Sequence, residues 1–270
     1  MAEMIRIEGG AFTMGAVRFY AEERPLRAAV VADFRLDAVP VTNAAFSAFV
    51  EATGHTTLAE LQGESAVFTP TASQSGASWW TLVRGACWRH PLGPGSSLAG
   101  LEEHPVVHVA HSDAAAYAAW AGKRLPSEAE WEFAARGGLH GVDYAWGDEL
   151  APGGRMLANY WQGAFPHENT LEDGWERTSP VRSFPPNGYG LHDMIGNVWE
   201  WTADDWSLPG APATHAPRCC SAGTGNVQKV VKGGSHLCAR SYCQRYRPAA
   251  RHQQPVDAPT GHIGFRCAAD

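Results

Sequence analysis

The chain is poor in charge, sparse in cysteine and without a long apolar run. Only 18% of its 270 residues are Asp, Glu, Lys or Arg, and the 21 Lys+Arg fall short of the 28 Asp+Glu. A net charge of −7 exerts no pull toward phosphate backbones or anionic bilayers, so neither nucleic acid nor membrane is expected as a partner. No apolar stretch approaches the roughly 20 residues of a membrane span. The start, Met1-Ala2-Glu3-Met4-Ile5-Arg6, lacks the basic and apolar segments of a signal peptide, which points to a soluble cytoplasmic protein. Six cysteines (Cys87, Cys219, Cys220, Cys238, Cys243, Cys267) are too few for a disulfide scaffold in a chain this long, and a reducing compartment keeps them as thiols. The nucleophile elbow, the phosphate loop, the dinucleotide fingerprint and H-E-x-x-H are all missing, so the enzyme classes that depend on them are set aside.

What is present is 44% hydrophobic residues, enough for a real core, with 29 Gly, 18 Pro and 11 Trp. That balance describes a loop-rich fold that buries large aromatics and needs extra fasteners. Ile5-Arg6-Ile7, Gly9-Gly10 and Phe12-Thr13-Met14 read as a short hairpin, and Ala29 to Leu36 as a further strand. Thr42 or Asn43 caps a helix that presents Phe46, Phe49 and Val50 on one face and stops at Gly54. From His55 to Glu103 periodicity is lost, giving a long irregular segment around Trp79, Trp80 and Trp88. Pro105 to Val109 reads as a buried strand. A helix capped by Ser112 or Asp113 then runs through Trp120 to Gly122. A second helix opens at Pro126-Ser127, where Glu130 completes a capping box, and closes at Gly137-Gly138. Leu139 to Asp270 holds turns, short strands and aromatics without a repeat or linker, so the expected architecture is one irregular α+β domain over residues 1–270.

The densest chemistry lies in Gly233-Gly234-Ser235-His236-Leu237-Cys238-Ala239-Arg240-Ser241-Tyr242-Cys243-Gln244-Arg245-Tyr246-Arg247. Guanidinium groups beside a thiol stabilise thiolate, which is both nucleophile and soft-metal ligand. Cys238 and Cys243 diverge on a regular strand or helix and converge only across a bend. Two thiolates fall short of structural zinc but suit low-coordinate monovalent copper; a structural disulfide or a pair of inert thiols remains the rival reading. Two other stretches offer hard oxygen ligands in turns. One holds Asn159, Tyr160, Asp173 and Trp175; the other is Asp193-Met194-Ile195-Gly196-Asn197-Val198-Trp199-Glu200. Carboxylates alternating with backbone carbonyls suit calcium, and ordinary Asx turns stand as the alternative. His104, His108 and His111 flank a strand and read as structural.

At these residues the chain resembles the formylglycine-generating enzymes, the sulfatase-modifying factors. Leu125-Pro126-Ser127-Glu128-Ala129-Glu130-Trp131-Glu132 and Gly196-Asn197-Val198-Trp199-Glu200-Trp201 look like signatures of the wider superfamily, whose fold is a variant of the C-type lectin fold. The narrower match is Gly233-Gly234-Ser235-x-x-Cys238-x-Arg240-Ser241-Tyr242-Cys243-x-Arg245-Tyr246-Arg247 with Gly264-Phe265-Arg266-Cys267-Ala268-Ala269-Asp270. The resemblance implies copper(I) on Cys238 and Cys243, a substrate cysteine as third thiolate, and oxygen activated beside Ser235 and Trp199. It implies one calcium ion at Asn159, Tyr160, Asp173 and Trp175, and a second at Asp193, Gly196, Val198 and Glu200, with Tyr160, Trp175, Gly196 and Val198 giving backbone carbonyls only. Ala118, Ala135 and Pro248 stand where secreted relatives carry cysteine, and Cys267 loses its partner, which fits a cytoplasmic, bacterial-type enzyme.

The expected activity is therefore a copper-dependent oxidase that converts the cysteine of a C-x-P-x-R segment in unfolded or nascent sulfatases to Cα-formylglycine, using O2 and a thiol reductant and acting as a monomer. An extended substrate requires a groove, which we expect to be lined by Trp88, Arg89 and His90. The rivals are a non-catalytic lectin-like binding module and an iron oxidase, the latter needing a histidine-rich facial site that is not evident.

Overall fold

A computed structural model of the chain describes residues 3–70, 79–208 and 227–270. Cys219 and Cys220 fall outside the described residues.

The first reversal is not where the sequence pattern sets it. β1 (Met4–Ile7) and β2 (Gly10–Met14) do not pair with each other. The chain runs on through Gly9-Gly10 and turns back only after Met14, and β3 (Arg27–Val31) then pairs with β2 while β4 (Phe34–Asp37) pairs with β1. Ile7 faces Phe34 and Gly10 faces Val31, so the four strands are one long bent hairpin. The bend lies at Gly9, whose N–H donates to Asp33 Oδ1 at 2.9 Å and where a Cβ would meet Val31 O at 2.3 Å. The single strand expected over Ala29 to Leu36 is accordingly two strands on two sheets.

The helices follow their caps. α1 (Asn43–Thr53) begins at Thr42, whose Oγ1 accepts from Ala45 N, and ends at left-handed Gly54, burying Phe46, Phe49 and Val50. The stretch from His55 is more regular than expected. It contains α2 (Leu58–Gln62), capped by a Thr57–Glu60 box, and the antiparallel strands β5 (Glu64–Phe68) and β6 (Trp80–Arg84). These were hidden because β6 is largely solvated and shows no apolar alternation. Pro105 to Val109 is buried as expected but is not a strand: it bonds to α1's approach through Val106 N to Val41 O, and His108 turns at φ +59°. α3 (His111–Trp120) has Ala110 as its cap position rather than Ser112 or Asp113, with Asp113 Oδ2 accepting Ala110 N at 2.9 Å. α4 (Glu128–Arg136) starts on the Ser127–Glu130 box and stops at Gly137.

The C-terminal half supplies the largest sheet, ordered β10 (Ile263–Gly264), β7 (Trp199–Asp205), β8 (Gln228–Lys232), β9 (Arg251–Pro255). β11 (Ala268–Ala269) returns to the free edge of β4 and closes the chain ends onto one sheet. Phe46 sits among Trp88, Tyr117 and Phe265 in one core cluster, while Trp131 packs with Ile7, Phe34 and Leu36 in another. The aromatic fasteners are joined by buried ion pairs that composition does not announce: Arg247–Glu23, Arg251–Glu128, Lys232–Glu132 and Arg266–Glu200. No helix among the described residues is long and apolar enough to cross a membrane.

Candidate active site

β8 delivers the chain into two glycines that only glycine satisfies. Gly233 and Gly234 both have positive φ, and a Cβ on Gly234 would lie 2.6 Å from the Arg245 carbonyl carbon. The loop therefore closes on itself, with residue 234 packed against 245–246. Within it Cys238 N donates to Ser235 O at 2.9 Å, and Tyr242 N and Cys243 N both donate to Ala239 O, at 3.1 and 2.8 Å. This single helical turn is the bend that the spacing of the cysteines demands. It brings Cys238 Sγ and Cys243 Sγ to 3.3 Å, well beyond a disulfide bond of about 2.05 Å, so both are free thiols.

The two sulfurs are electrostatically unequal. Cys238 is buried and hydrogen-bonds to Cys243, and burial first and the neighbouring thiol second push its pKa well up. Cys243 is pushed down, first by that hydrogen bond from Cys238 and then by Arg245, whose Nη1 lies 3.6 Å from its Sγ. Of the two, Cys243, which faces the guanidinium, is the one pushed toward thiolate. Two convergent sulfurs of this kind match the donor set of a soft monovalent ion.

Cys238, Cys243, Ser235 and Trp199 line one open pocket, so the residues expected to carry the chemistry are brought together. The same pocket is walled by Arg245 of the thiol motif and by Trp79 and Trp80 of the irregular segment, and also by His252, His262 and Phe165, which the sequence does not mark. His262 is half-buried with its Nδ1 2.7 Å from Thr260 Oγ1, and desolvation lowers its pKa and, less strongly, that of His252 at the exposed rim. Arg245 was legible as part of the thiol motif; nothing in the local sequence marks the histidines, which arrive on β9 and ahead of β10. Phe68 and Leu237 also line a second, adjacent cleft that includes Trp161, Pro166 and Arg177.

Trp88, Arg89 and His90 are not brought to this pocket. Trp88 is 0% exposed, edge-on to Phe46 at 5.1 Å in the core, and so cannot line a surface groove. Arg89 stacks over Trp88 at 4.2 Å and pairs with Glu60, while His90 Nδ1 lies 2.6 Å from Ser96 O. Trp88 thus plugs the core, while the exposed Arg89 and half-buried His90 are tied to Glu60 and Ser96 and do not line the thiol pocket.

The oxygen-rich sets differ in how well they suit a cation. Asn159 Oδ1 is buried without a hydrogen-bond partner, and Asp173 accepts from Tyr160 N, Gln162 Nε2 and Trp175 N with no cationic side chain beside it. Burial pushes the Asp173 carboxyl up. An orphaned amide oxygen and a half-buried carboxylate without a cationic partner, on the same stretch of turns, suit a hard dication. In the second set Asp193 is buried and accepts Arg182 N at 2.9 Å, but Glu200 is already neutralised by Arg266 at 2.7 and 2.8 Å. A dication there would share Glu200 with a guanidinium. The two sets touch, since Asn197 N donates to Asn159 O at 2.8 Å and a Cβ on Gly196 would meet that same oxygen. Among the described residues no group of three or more His, Cys, Asp or Glu is arranged to hold a metal, so any ion must draw on amide and carbonyl oxygens or on two thiols.

The model of the sulfatase-modifying factor enzyme 1-like domain matches residues 1–270. The formylglycine-generating enzyme of Mycobacterium tuberculosis is 49% identical over 100% of this chain and 98% of its own length. That of Streptomyces coelicolor is 52% identical over 98% of this chain and 88% of its own. Among solved structures, PvdO from Pseudomonas aeruginosa superposes with a TM-score of 0.68 at 26% identity, over 100% of this chain and 94% of that one. The loop-rich α+β architecture, a C-type-lectin-like fold, is thus shared along the whole chain.

Proposed function

The chain belongs to the sulfatase-modifying factor family, and from that premise we propose that it is a formylglycine-generating oxidase acting on the cysteine of a C-x-P-x-R segment in unfolded or nascent sulfatases. The observation that carries the reading is the free thiol pair, Sγ to Sγ 3.3 Å, exposed to an open pocket within the motif that the resemblance marks. Residues 1–270 are read as one such domain, acting as a monomer.

Cys238 and Cys243 would hold copper(I), which supplies the one-electron chemistry toward O2 that side chains lack. The chain's own residues do the rest. The 239–243 turn holds the two sulfurs convergent, and the Cys238 hydrogen bond and then Arg245 lower the Cys243 pKa toward the thiolate. Ser235 and Trp199 wall the site beside Cys238, and Trp79, Trp80 and Phe165 give it an apolar side. The neighbouring cleft past Phe68 and Leu237 takes an extended peptide, which a linear motif requires. Overall the substrate Cβ exchanges sulfur for oxygen: sulfide leaves, one oxygen atom of O2 becomes the aldehyde, and the other leaves as water with two electrons from a thiol reductant.

Asn159 and Asp173 would hold a calcium ion with the Tyr160 and Trp175 carbonyls, and Asp193 and Glu200, with Gly196 and Val198, a second. The free cysteines among the described residues, Cys87, Cys238, Cys243 and Cys267, are in keeping with a reducing cytoplasm. The test is mass spectrometry of a synthetic C-x-P-x-R peptide incubated with protein, oxygen and a thiol reductant, with and without copper(I). Copper-dependent conversion to the aldehyde is expected; none under either condition would favour a binding module.

A further inference from the structure

The proposed loaded site would carry an unbalanced charge. With copper(I) held by both sulfurs, two thiolates and an arriving substrate thiolate would bring three negative charges against the single positive one of the ion. Partly buried charge of that size is costly without a compensating cation nearby. The pocket lining holds no lysine and no second arginine, so among the described residues Arg245 is the lone permanent cation lining it.

Arg245 is also held in one pose. Its Nε and Nη2 both donate to Glu22 Oε1, at 3.2 and 2.5 Å, and its Cζ lies 3.8 Å over the Tyr20 ring. That leaves Nη1 directed at Cys243 Sγ. Tyr20 in turn fixes the loop itself, since its hydroxyl accepts from Gln244 N at 2.9 Å. The other arginines of the motif are committed elsewhere: Arg247 pairs with Glu23 and stacks on Phe19, and Arg240 is exposed on the wall of a different cleft. A segment some 220 residues upstream thus aims one guanidinium at one sulfur.

We propose that Arg245, positioned by Glu22 and Tyr20, is the counter-charge of the thiolate site, and that it favours a substrate arriving as a thiolate over one that brings no charge. This rests on the copper-thiolate reading above. It assigns to Arg245 a share in substrate discrimination that the thiol pair alone does not provide, because the need for compensation rises when the third sulfur arrives.

Two measurements test it on the whole protein. In the first, copper(I) affinity is read by competition with a chromophoric copper(I) chelator. Arg245→Gln should bind about tenfold more weakly, as expected for loss of one charge-assisted contact, and Arg245→Lys should recover most of the loss. In the second, copper-loaded protein is titrated with the C-x-P-x-R peptide and with its serine counterpart. Wild type should prefer the cysteine peptide, and Arg245→Gln should lose about tenfold of that preference while binding the serine peptide as before. Unchanged affinity and preference in Arg245→Gln would overturn the proposal, as would equal weakening toward both peptides, which marks a role in groove shape. If Arg245→Gln does not fold, Arg245→Lys decides: near-native affinity supports a counter-charge, and the full tenfold loss overturns it. A wild-type protein that binds no copper(I) would overturn the underlying reading instead, and the inference with it.

Discussion

The indole of Trp131 donates to Glu200 Oε2 at 2.8 Å, so the Leu125–Glu132 and Gly196–Trp201 motifs meet in one buried hydrogen bond. The same carboxylate accepts Arg266 through Nε and Nη2. α4, β7 and the C-terminal segment are therefore tied to a single charge. Removing it leaves Arg266 buried and unpaired. Glu200→Ala should cost about 3–5 kcal/mol in denaturant unfolding; a loss below about 1 kcal/mol would mean the cluster repacks around water.

The thiol pair should be indispensable as a pair. Cys243→Ser and Cys238→Ser should each lower peptide conversion by roughly a hundredfold or more, because a hydroxyl does not replace a soft thiolate ligand. Cys87→Ser, whose sulfur lies outside the thiol pocket, should convert the peptide normally. Full activity in Cys243→Ser by mass spectrometry would refute the assignment.

Acid should unfold the protein through its buried histidines. His108 is fully buried, with Nε2 2.9 Å from Pro91 O and Nδ1 2.7 Å from Ser65 Oγ, and burial lowers its pKa to about 4. A histidine depressed in the fold stays neutral there while the unfolded chain takes up a proton. Stability is thus intact above the unfolded pKa near 6.5, falls as pH drops through it, and levels off below about 4. The loss from His108 is about 3 kcal/mol. Urea midpoints between pH 7 and pH 4 should fall in wild type and fall less in a His108→Gln variant; parallel curves would contradict this.

Calcium should stabilise through Asn159 and Asp173. An ion held a hundredfold below its working concentration adds about 2.7 kcal/mol, so chelation should lower the melting temperature by several degrees. Asp173→Ala should abolish that response. An equal response in Asp173→Ala would remove the site.

Trp88→Ala should act on stability rather than recognition. The ring is fully buried against Phe46, and its truncation should cost about 3–5 kcal/mol by chemical denaturation. A native unfolding midpoint with weakened peptide binding would return this residue to the substrate groove.

Much of the fold was legible where local chemistry decides it. The Ser127–Glu130 and Thr42 caps, the stops at Gly54 and Gly137, and the bend forced by the Cys238–Cys243 spacing all appear as read. The early hairpin was misplaced because Gly9-Gly10 suits a turn or a bend equally well, and only Asp33 across the sheet selects the bend. The groove residues failed for a related reason. Trp88, Arg89 and His90 have the composition of a ligand surface, but their direction is set by Phe46 and Glu60, contributed by α1 and α2.

What the sequence by itself determined is therefore the set of chemically committed groups. Two thiols sit in a glycine-led loop, with helix boundaries written in caps and acids among turns. What only the tertiary structure decided is which of those groups share a space. Arg245 faces Cys243 because Glu22 and Tyr20 arrive from the first hairpin, and Trp199 and His262 reach the thiols because β10 lies beside β7. Side-chain chemistry is local and reads along the chain. Electrostatic partnership falls with distance in space, so it is created only when remote segments are packed together.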